Sequence, residues 1–204
     1  LINIGKDIPF ESLMEEGADS VFISTGLSKS KRLPISIDDS ENIHYGVEFL
    51  RKFEYNEIPL EHFKSKNVVI IGGGNVATDA ARTAVRLQAE STKLICLENR
   101  DEMPAYPQEI KESLEEGIEI MNSWGIDSIG KNNDKIGVEL KSCTNVFDPN
   151  GKFNPKYDES VKEKITCDAV IICIGQESDI DEMRTNGSFP AQNNGLNKVN
   201  TNNL

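Results

Sequence analysis

The sequence predicts an α/β fold, with a mostly parallel sheet in a three-layer arrangement and an antiparallel β addition. Three observations carry this. Four β-branched residues, Val68 to Ile71, run into Gly72-Gly73-Gly74 and then into an alanine-rich helical pattern, Asn75-Val76-Ala77-Thr78-Asp79-Ala80-Ala81-Arg82. Two further short apolar runs, Lys93-Leu94-Ile95-Cys96-Leu97 and Ala169-Val170-Ile171-Ile172-Cys173-Ile174, end close to polar residues or glycine, the pattern of parallel strands covered on both faces. From Lys135 onward the pattern changes to alternation, as in half-exposed antiparallel strands.

Taken in order, residues 1–20 read as a short extended segment and a helix stopped at Glu16-Gly17. Val21-Phe22-Ile23-Ser24-Thr25-Gly26 reads as a compact strand, and residues 27–43, with Pro34, as connection. Val47, Leu50 and Phe53 sit at helical spacing between Tyr45 and Phe53, and Ile58 to Lys66 forms a loop. After the glycines, Ala77, Ala80, Ala81, Ala84 and Val85 form a stripe of small residues on one helical face. The strand at 93–97 completes a β-α-β unit of about 30 residues. Pro107 opens another helix, with Ile110 and Leu114 inward and Gly117 as cap, before a strand at Ile118-Glu119-Ile120. Ile136 to Leu140 and Val161 to Ile165 alternate around the turn signal Asp148-Pro149-Asn150-Gly151. The segment from Glu177 to Leu204 is rich in Asn and poor in apolar residues, and no internal repeat is visible.

Composition excludes several classes. The 204 residues are 37% hydrophobic and 27% charged, enough for a core in one large domain or parts of two. A formal net charge of −12 opposes nucleic-acid binding. No apolar run reaches membrane-spanning length and the first residues lack the charged-then-apolar pattern of a secretory signal, so neither a membrane nor a nucleic acid is expected as partner. Cys96, Cys143, Cys167 and Cys173 are scattered without a C-x-x-C pair, which argues against metal or iron–sulfur ligation and for buried thiols in a reducing cytoplasm. The chain begins at Leu1 rather than Met, and is expected to be an internal piece of a longer polypeptide.

The chemistry concentrates in the glycine turn. Gly72, Gly74 and Ala77 occupy the small positions of G-x-G-x-x-A, directly after a strand and opening a helix, the context of a Rossmann-like dinucleotide fingerprint. Gly72 permits the tight turn, Gly74 lets the backbone approach a pyrophosphate, and Ala77 lets the helix lie close to the strand. The helix N-terminus would then face the phosphate oxygens. Glu98, at the end of the second strand, suits the two hydroxyls of an adenosine ribose, while Arg100 suits a 2′-phosphate; the carboxylate tilts the choice toward NAD(H) over NADP(H). A calcium loop over Asp148 to Glu159 fails on spacing, because the glycine falls one position early and Lys152 replaces a ligand. His44 and His62 stand far apart in the sequence without a triad-like arrangement, Trp124 reads as a packing residue, and no catalytic side-chain set or metal site is expected.

Gly72 to Thr83 resembles the NAD(P)H-binding domain of flavoproteins like the glutamate synthase small subunit, within the pyridine nucleotide-disulfide oxidoreductase superfamily. Three further segments match in order: Ser24-Thr25-Gly26 is similar to the family's A-T-G, Glu102-Met103-Pro104-Ala105 to its E-M-P-A, and Ile174-Gly175-Gln176 to the end of its A-I-G-Q. The resemblance implies an NAD(P)H-binding domain over 44–174 inserted into an FAD-binding domain, of which 1–43 and 175–204 are partial segments. It implies hydride transfer between nicotinamide and flavin, FAD in the full-length parent, and an iron–sulfur partner beyond it. The resemblance implies that Gly73, Asn75 and Val76 join Gly72, Gly74 and Ala77 at the pyrophosphate. By the same resemblance Glu98, Asn99 and Arg100 would select the adenosine end, and Cys173, Ile174 and Gly175 would run past the nicotinamide. Glu98-Asn99-Arg100 stands where many NADP(H)-dependent members have Tyr-Arg-Arg, and the family's N-terminal FAD glycine motif and final Gly-Asp are absent. Fragment status implies exposed apolar surface near 1–26 and 169–204. Two other readings remain open: that the glycine loop binds FAD itself, or that the domain is a non-catalytic NAD(H) sensor or scaffold.

Overall fold

The computed structural model describes residues 4–10, 12–35, 37, 41–179, 192–193 and 196–197. Two compact units partition the chain, one made of residues 1–29 and 176–204, the other of Ser30–Gly175. The first unit holds a one-turn helix, α1 (Ser12–Glu15), followed by Gly17. β1 (Lys29–Ser30) stands at the boundary.

The second unit is built around five parallel strands. They are β2 (Ile43–Tyr45), β3 (Asn67–Ile71), β4 (Ser91–Ile95), β5 (Glu119–Met121) and β9 (Ala169–Ile172), in the order β2-β9-β3-β4-β5. The strands are linked by α2 (Gly46–Glu54), α3 (Asn75–Arg86) and α4 (Pro107–Glu115). Between β5 and β9 the chain makes an antiparallel meander of β6 (Trp124–Asn132), β7 (Lys135–Phe147) and β8 (Phe153–Cys167). A two-residue strand, β10 (Gln176–Glu177), follows β9.

The three layers follow from the period of two along the central strands. Val68 and Ile70 of β3, with Leu94, Ala169 and Ile171, face the helices and pack with Phe49, Phe63, Leu87 and the alanine stripe. Val69 and Ile71, with Ile95, Val170 and Ile172, face the opposite way and pack with Ile129, Ile136, Val138, Leu140 and Ile165 of the meander. The meander thus takes the place of a second helical layer, and the β-branched run of β3 is explained by burial on both sides. Ala77, Ala80, Ala81 and Ala84 are fully buried, so α3 lies against the sheet with no bulky side chain between them.

Polar contacts fix the register at the start of the strands. The Asn67 N–H donates to Asp168 Oδ2 at 2.9 Å, and Ser91 Oγ donates to Asn67 Oδ1 at 2.6 Å. On the helical layer, Arg82 of α3 reaches Glu109 and Glu112 at 2.8 Å each and Glu116 at 2.7 Å, clamping α4 to α3. Asp148 Oδ1 accepts from the N–H groups of Asn150 and Lys152, an Asx-type turn rather than a calcium loop. Among the described residues no group of three His, Cys, Asp or Glu is placed to hold a metal, and no helix is long and apolar enough to cross a membrane.

Several sequence expectations need correction. Val21 to Gly26 is not a strand, and Phe22 is 92% exposed; a strand needs a ladder partner, and none is assigned to this segment among the described residues. The expected apolar exposure holds at Phe22 but fails at Ala169–Ile172, which are fully buried between two strands. The second strand ends at Ile95, not Leu97, and β6 was not anticipated. Leu114 is 45% exposed rather than inward, because α4 turns Ser113 toward the core. His44 and His62 are not apart in space: their rings meet in a T-shaped arrangement, with centroids 5.8 Å apart, within a cluster containing Phe49 and Phe63. The expected segment from Glu177 to Leu204 lies largely outside the described residues.

That cluster has a consequence for stability. His44 Nε2 is buried without a hydrogen-bond partner. Burial first, then the charges of His62, Lys52 and Lys66, lower the His44 pKa from 6.5 to about 4, and burial also lowers that of His62. The unfolded chain therefore takes up the proton first as pH falls, so the contribution is intact above about pH 6.5 and is lost toward pH 4. Urea unfolding should show stability declining by on the order of 1–3 kcal/mol between pH 7 and pH 4. His44→Phe should flatten that decline, and an unchanged pH profile would contradict the assignment.

Candidate dinucleotide site

Because the five strands are parallel and in register, their C-terminal ends share one edge. Ile71 pairs with both Ile95 and Ile172, so Gly72, Cys96 and Cys173 emerge side by side. Every residue singled out from the sequence as cofactor-binding follows one of these three ends. This is the crevice in which open α/β sheets place ligands.

The turn at Gly72 is sterically fixed. The Gly72 N–H donates to the Ile95 carbonyl at 2.8 Å, and the Cys173 N–H donates to the Ile71 carbonyl at 2.7 Å. With φ at +137°, Gly72 adopts a conformation other residues avoid, and a Cβ there would lie within 3.0 Å of both carbonyl atoms of Cys173. Gly73 faces the other neighbour: a Cβ would meet Glu98 Oε2 at 2.8 Å and Cys96 Cβ at 3.0 Å. Gly74 is different. It is the N-cap of α3, with φ −93° and no side-chain cap, and a Cβ there would meet nothing within 4 Å. An uncapped helix N-terminus opening onto free space has first-turn N–H groups available for an anion.

The loop is braced from the side. Gly73 O accepts from the Ala105 N–H at 3.1 Å, and Asn75 Oδ1 accepts from the Tyr106 N–H at 2.9 Å. The Met103–Tyr106 segment therefore backs the glycine turn, and Asn75 spends its side chain on that brace. Val76 and Cys173 Sγ approach the Gly46 backbone, at 3.0 and 2.7 Å from a Cβ built there. Ala77 is buried under the turn.

Beyond β4, Glu98 is half-buried and its carboxylate lies against Gly73. Burial raises its pKa above the usual carboxylate value, and Glu102 pushes the same way against its own backbone hydrogen bond. Asn99 caps the short turn Arg100–Glu102, accepting from the N–H groups of Asp101 and Glu102 at 3.0 and 3.1 Å. Arg100 is exposed and borders an open groove of about 470 Å³ shared with Met103, Ile110, Lys111 and Leu114. On the β9 side, Ile174 is partly buried, and the Gly175 carbonyl accepts from the Lys31 N–H at 3.0 Å.

Two residues of the edge escaped the sequence reading. Asn122 and Ser123, which link β5 to β6, both donate to the Glu98 carbonyl, at 3.2 and 3.0 Å. The only sequence signal was an Asn-Ser pair after a short strand. Thiol chemistry finds no support here: all four cysteines are buried and free, and burial pushes Cys96, Cys167 and Cys173 up to about 12.

Comparison with known proteins gives the family and the fold. Residues 10–203 match the family described as pyridine nucleotide-disulphide oxidoreductase. The chain belongs to that family. It is 30% identical over 183 residues to the NADP(+)-dependent formate dehydrogenase subunit beta of Moorella thermoacetica, covering 87% of this chain and 25% of the relative. It is 29% identical to the glutamate synthase [NADPH] small chain of Halomonas elongata, covering 85% of this chain and 38% of the relative. The NADPH-Fe(3+) oxidoreductase subunit beta of Geobacter sulfurreducens is 32% identical, with 87% and 27% covered. The chain thus spans well under half the length of these curated relatives. In fold it is similar to Mycobacterium tuberculosis FprA in complex with NADPH, with a TM-score of 0.69 at 16% identity, covering 86% of this chain and 54% of that one.

The contrast between Gly72 and Gly74 separates folding from binding. Gly72→Ala should destabilise the domain by about 2 kcal/mol or more, read as a lowered thermal midpoint. Gly74→Ala should keep the midpoint within a few degrees while weakening dinucleotide binding at least tenfold, since its methyl would enter only the space in front of the helix. Equal effects of the two on stability would contradict this division.

Proposed function

We propose that residues 44–174 form the NAD(P)H-binding domain of an FAD-dependent oxidoreductase, inserted into a flavin domain to which 1–43 and 175–204 contribute. The observation that carries this reading is the uncapped N-terminus of α3 at Gly74, opening onto free space between the Glu98 and Cys173 strand ends. When bound, the nicotinamide supplies a hydride for the flavin. The chain's own work is to grip, orient and select.

In this reading the N–H groups opening α3, at Gly74, Asn75 and Val76, face the pyrophosphate, where helix dipole and orphan donors favour an anion. Gly72, Gly73 and Ala77 let backbone and helix come close enough. Glu98 accepts the adenosine ribose hydroxyls, and Cys173, Ile174 and Gly175 form the rail along which the nicotinamide end lies. The absence of a catalytic acid or base from the assignment fits hydride transfer, which depends on positioning more than on proton movement.

For cofactor choice, the carboxylate of Glu98 against the glycine turn supports NAD(H), because it would repel a 2′-phosphate. Arg100, with Lys111 across the same groove, supports the second reading, NADP(H), as do the names of the relatives. A partner subunit fits the relatives' names, subunit beta and small chain; that it is an iron–sulfur electron acceptor is what the family resemblance implies, and a cytoplasmic setting fits the free cysteines. The readings of the loop as an FAD site or of the domain as a sensor find no specific observation in their favour.

Equilibrium titration of the chain with NADH and NADPH tests the proposal. NADH should bind, with NADPH weaker, and affinity for neither would overturn it. Glu98→Gln should weaken NADH about tenfold and narrow the gap between the two nucleotides. Because Glu98 titrates above the usual carboxylate range, NADH affinity should also fall as pH is lowered through that raised value, and this slope should vanish in Glu98→Gln.

A further inference from the structure

The Glu98 carboxylate is held in place by its backbone rather than by another side chain. Among the described residues no other side chain donates to it; its hydrogen bond comes from its own backbone, and Glu102 repels it. Where the carboxylate points is therefore decided by where the Glu98 backbone sits. That backbone lies beyond the end of β4 at Ile95, outside the parallel ladder.

What replaces the ladder is the link between β5 and β6. The Glu98 carbonyl accepts from the Ser123 N–H at 3.0 Å and from Asn122 Nδ2 at 3.2 Å, with Cys96 Sγ at 3.6 Å from the same oxygen. Asn122 Nδ2 also lies 3.2 Å from Cys96 Sγ. Both contacts of this amide reach across to the end of β4; none of them closes its own turn. Ser123 has φ at +64°, the left-handed region that non-glycine residues seldom adopt. Its carbonyl is braced from β7 by the Cys143 N–H at 2.8 Å, and the Trp124 N–H bonds the Cys96 carbonyl at 2.9 Å. A strained link held from two sides, with its donors converging on one carbonyl, is how a rigid scaffold fixes a functional group.

We propose that Asn122 is a positioning residue for nucleotide selection, its amide holding the Glu98 carbonyl so that the carboxylate stays turned to the glycine loop. The meander behind it then has a task besides covering the sheet, since β7 braces the link that sets the selecting carboxylate. This rests on the reading that the Gly72–Ala77 loop binds a nicotinamide dinucleotide.

The test is titration of the chain and of Asn122→Leu with NADH and NADPH separately, alongside thermal unfolding. Asn122→Leu keeps the side-chain bulk and removes the donor. NADH affinity should fall about fivefold, equivalent to about 1 kcal/mol, while NADPH affinity stays within twofold, so the ratio shifts. In the Glu98→Gln background the same substitution should leave the ratio unmoved, which a general loosening of the fold would not do. Should Asn122→Leu fail to fold, Asn122→Ser, too short to reach the carbonyl, carries the same expectation. Equal loss for both nucleotides, or an unchanged ratio, would overturn the positioning role alone. Binding of neither nucleotide by the unsubstituted chain would overturn the dinucleotide reading beneath it.

Discussion

The close approach of β3 and β9 at Gly72 and Cys173 is the constraint on which the rest of the edge depends. Two parallel strands in register bring their C-terminal ends level, but the chain must then turn sharply out of β3 while the Cys173 carbonyl occupies the space a side chain would need. Only a glycine with positive φ meets both demands. With that turn fixed, α3 starts directly above the sheet edge, and its alanine face settles onto the strands without intervening bulk. The direction of the α3 N-terminus, and hence the place of any anion it holds, follows from one backbone contact.

The register that levels the strand ends is set at the opposite edge. Asp168 bonds the Asn67 N–H and Asn67 bonds Ser91, so one polar side chain from each of three neighbouring strand starts pins β9, β3 and β4 together. A slip of one residue would turn Val68 and Ile70 away from the helices and expose them to the wrong layer. Packing and polar contacts thus select the same alignment. The three sequence-distant segments at 72–77, 98–100 and 173–175 meet as a consequence.

Much of this was legible in the sequence, where local pattern and tertiary environment agree. The strand–glycine–helix order at 68–82, the alanine stripe and the buried β9 run carry their reasons in their own residues. The failures came where structure depends on a partner that local pattern does not name. Val21 to Gly26 is apolar enough for a strand, yet pairing is decided by a neighbour. β6 alternates weakly, because Gly125 leaves room for the Tyr157 ring of β8 rather than presenting a side chain of its own. The contact between His44 and His62 arises because β2 and the loop before β3 converge on Phe63, which no spacing rule shows. Asn122 and Ser123 were missed for the same reason: their role lies in which carbonyl they reach.

The burial of Glu98 shows how the layers combine. A carboxylate placed against backbone, with desolvation and Glu102 both raising its pKa, is an unfavourable arrangement in the free protein. It persists because the Glu98 backbone is held by the β5–β6 link, which the meander in turn braces from Cys143. Hydroxyl donors from a ribose would relieve that cost, whereas a phosphate would add to it. Arg100 borders the groove beside α4 and lies against Met103 instead of pairing with this carboxylate, so on the proposed reading the two charges would meet different parts of an incoming nucleotide. On the same reading, discrimination between a free and a phosphorylated ribose would rest on the backbone that fixes Glu98, and the antiparallel layer reaches this edge at two carbonyls, that of Glu98 through the β5–β6 link and that of Cys96 through the Trp124 N–H.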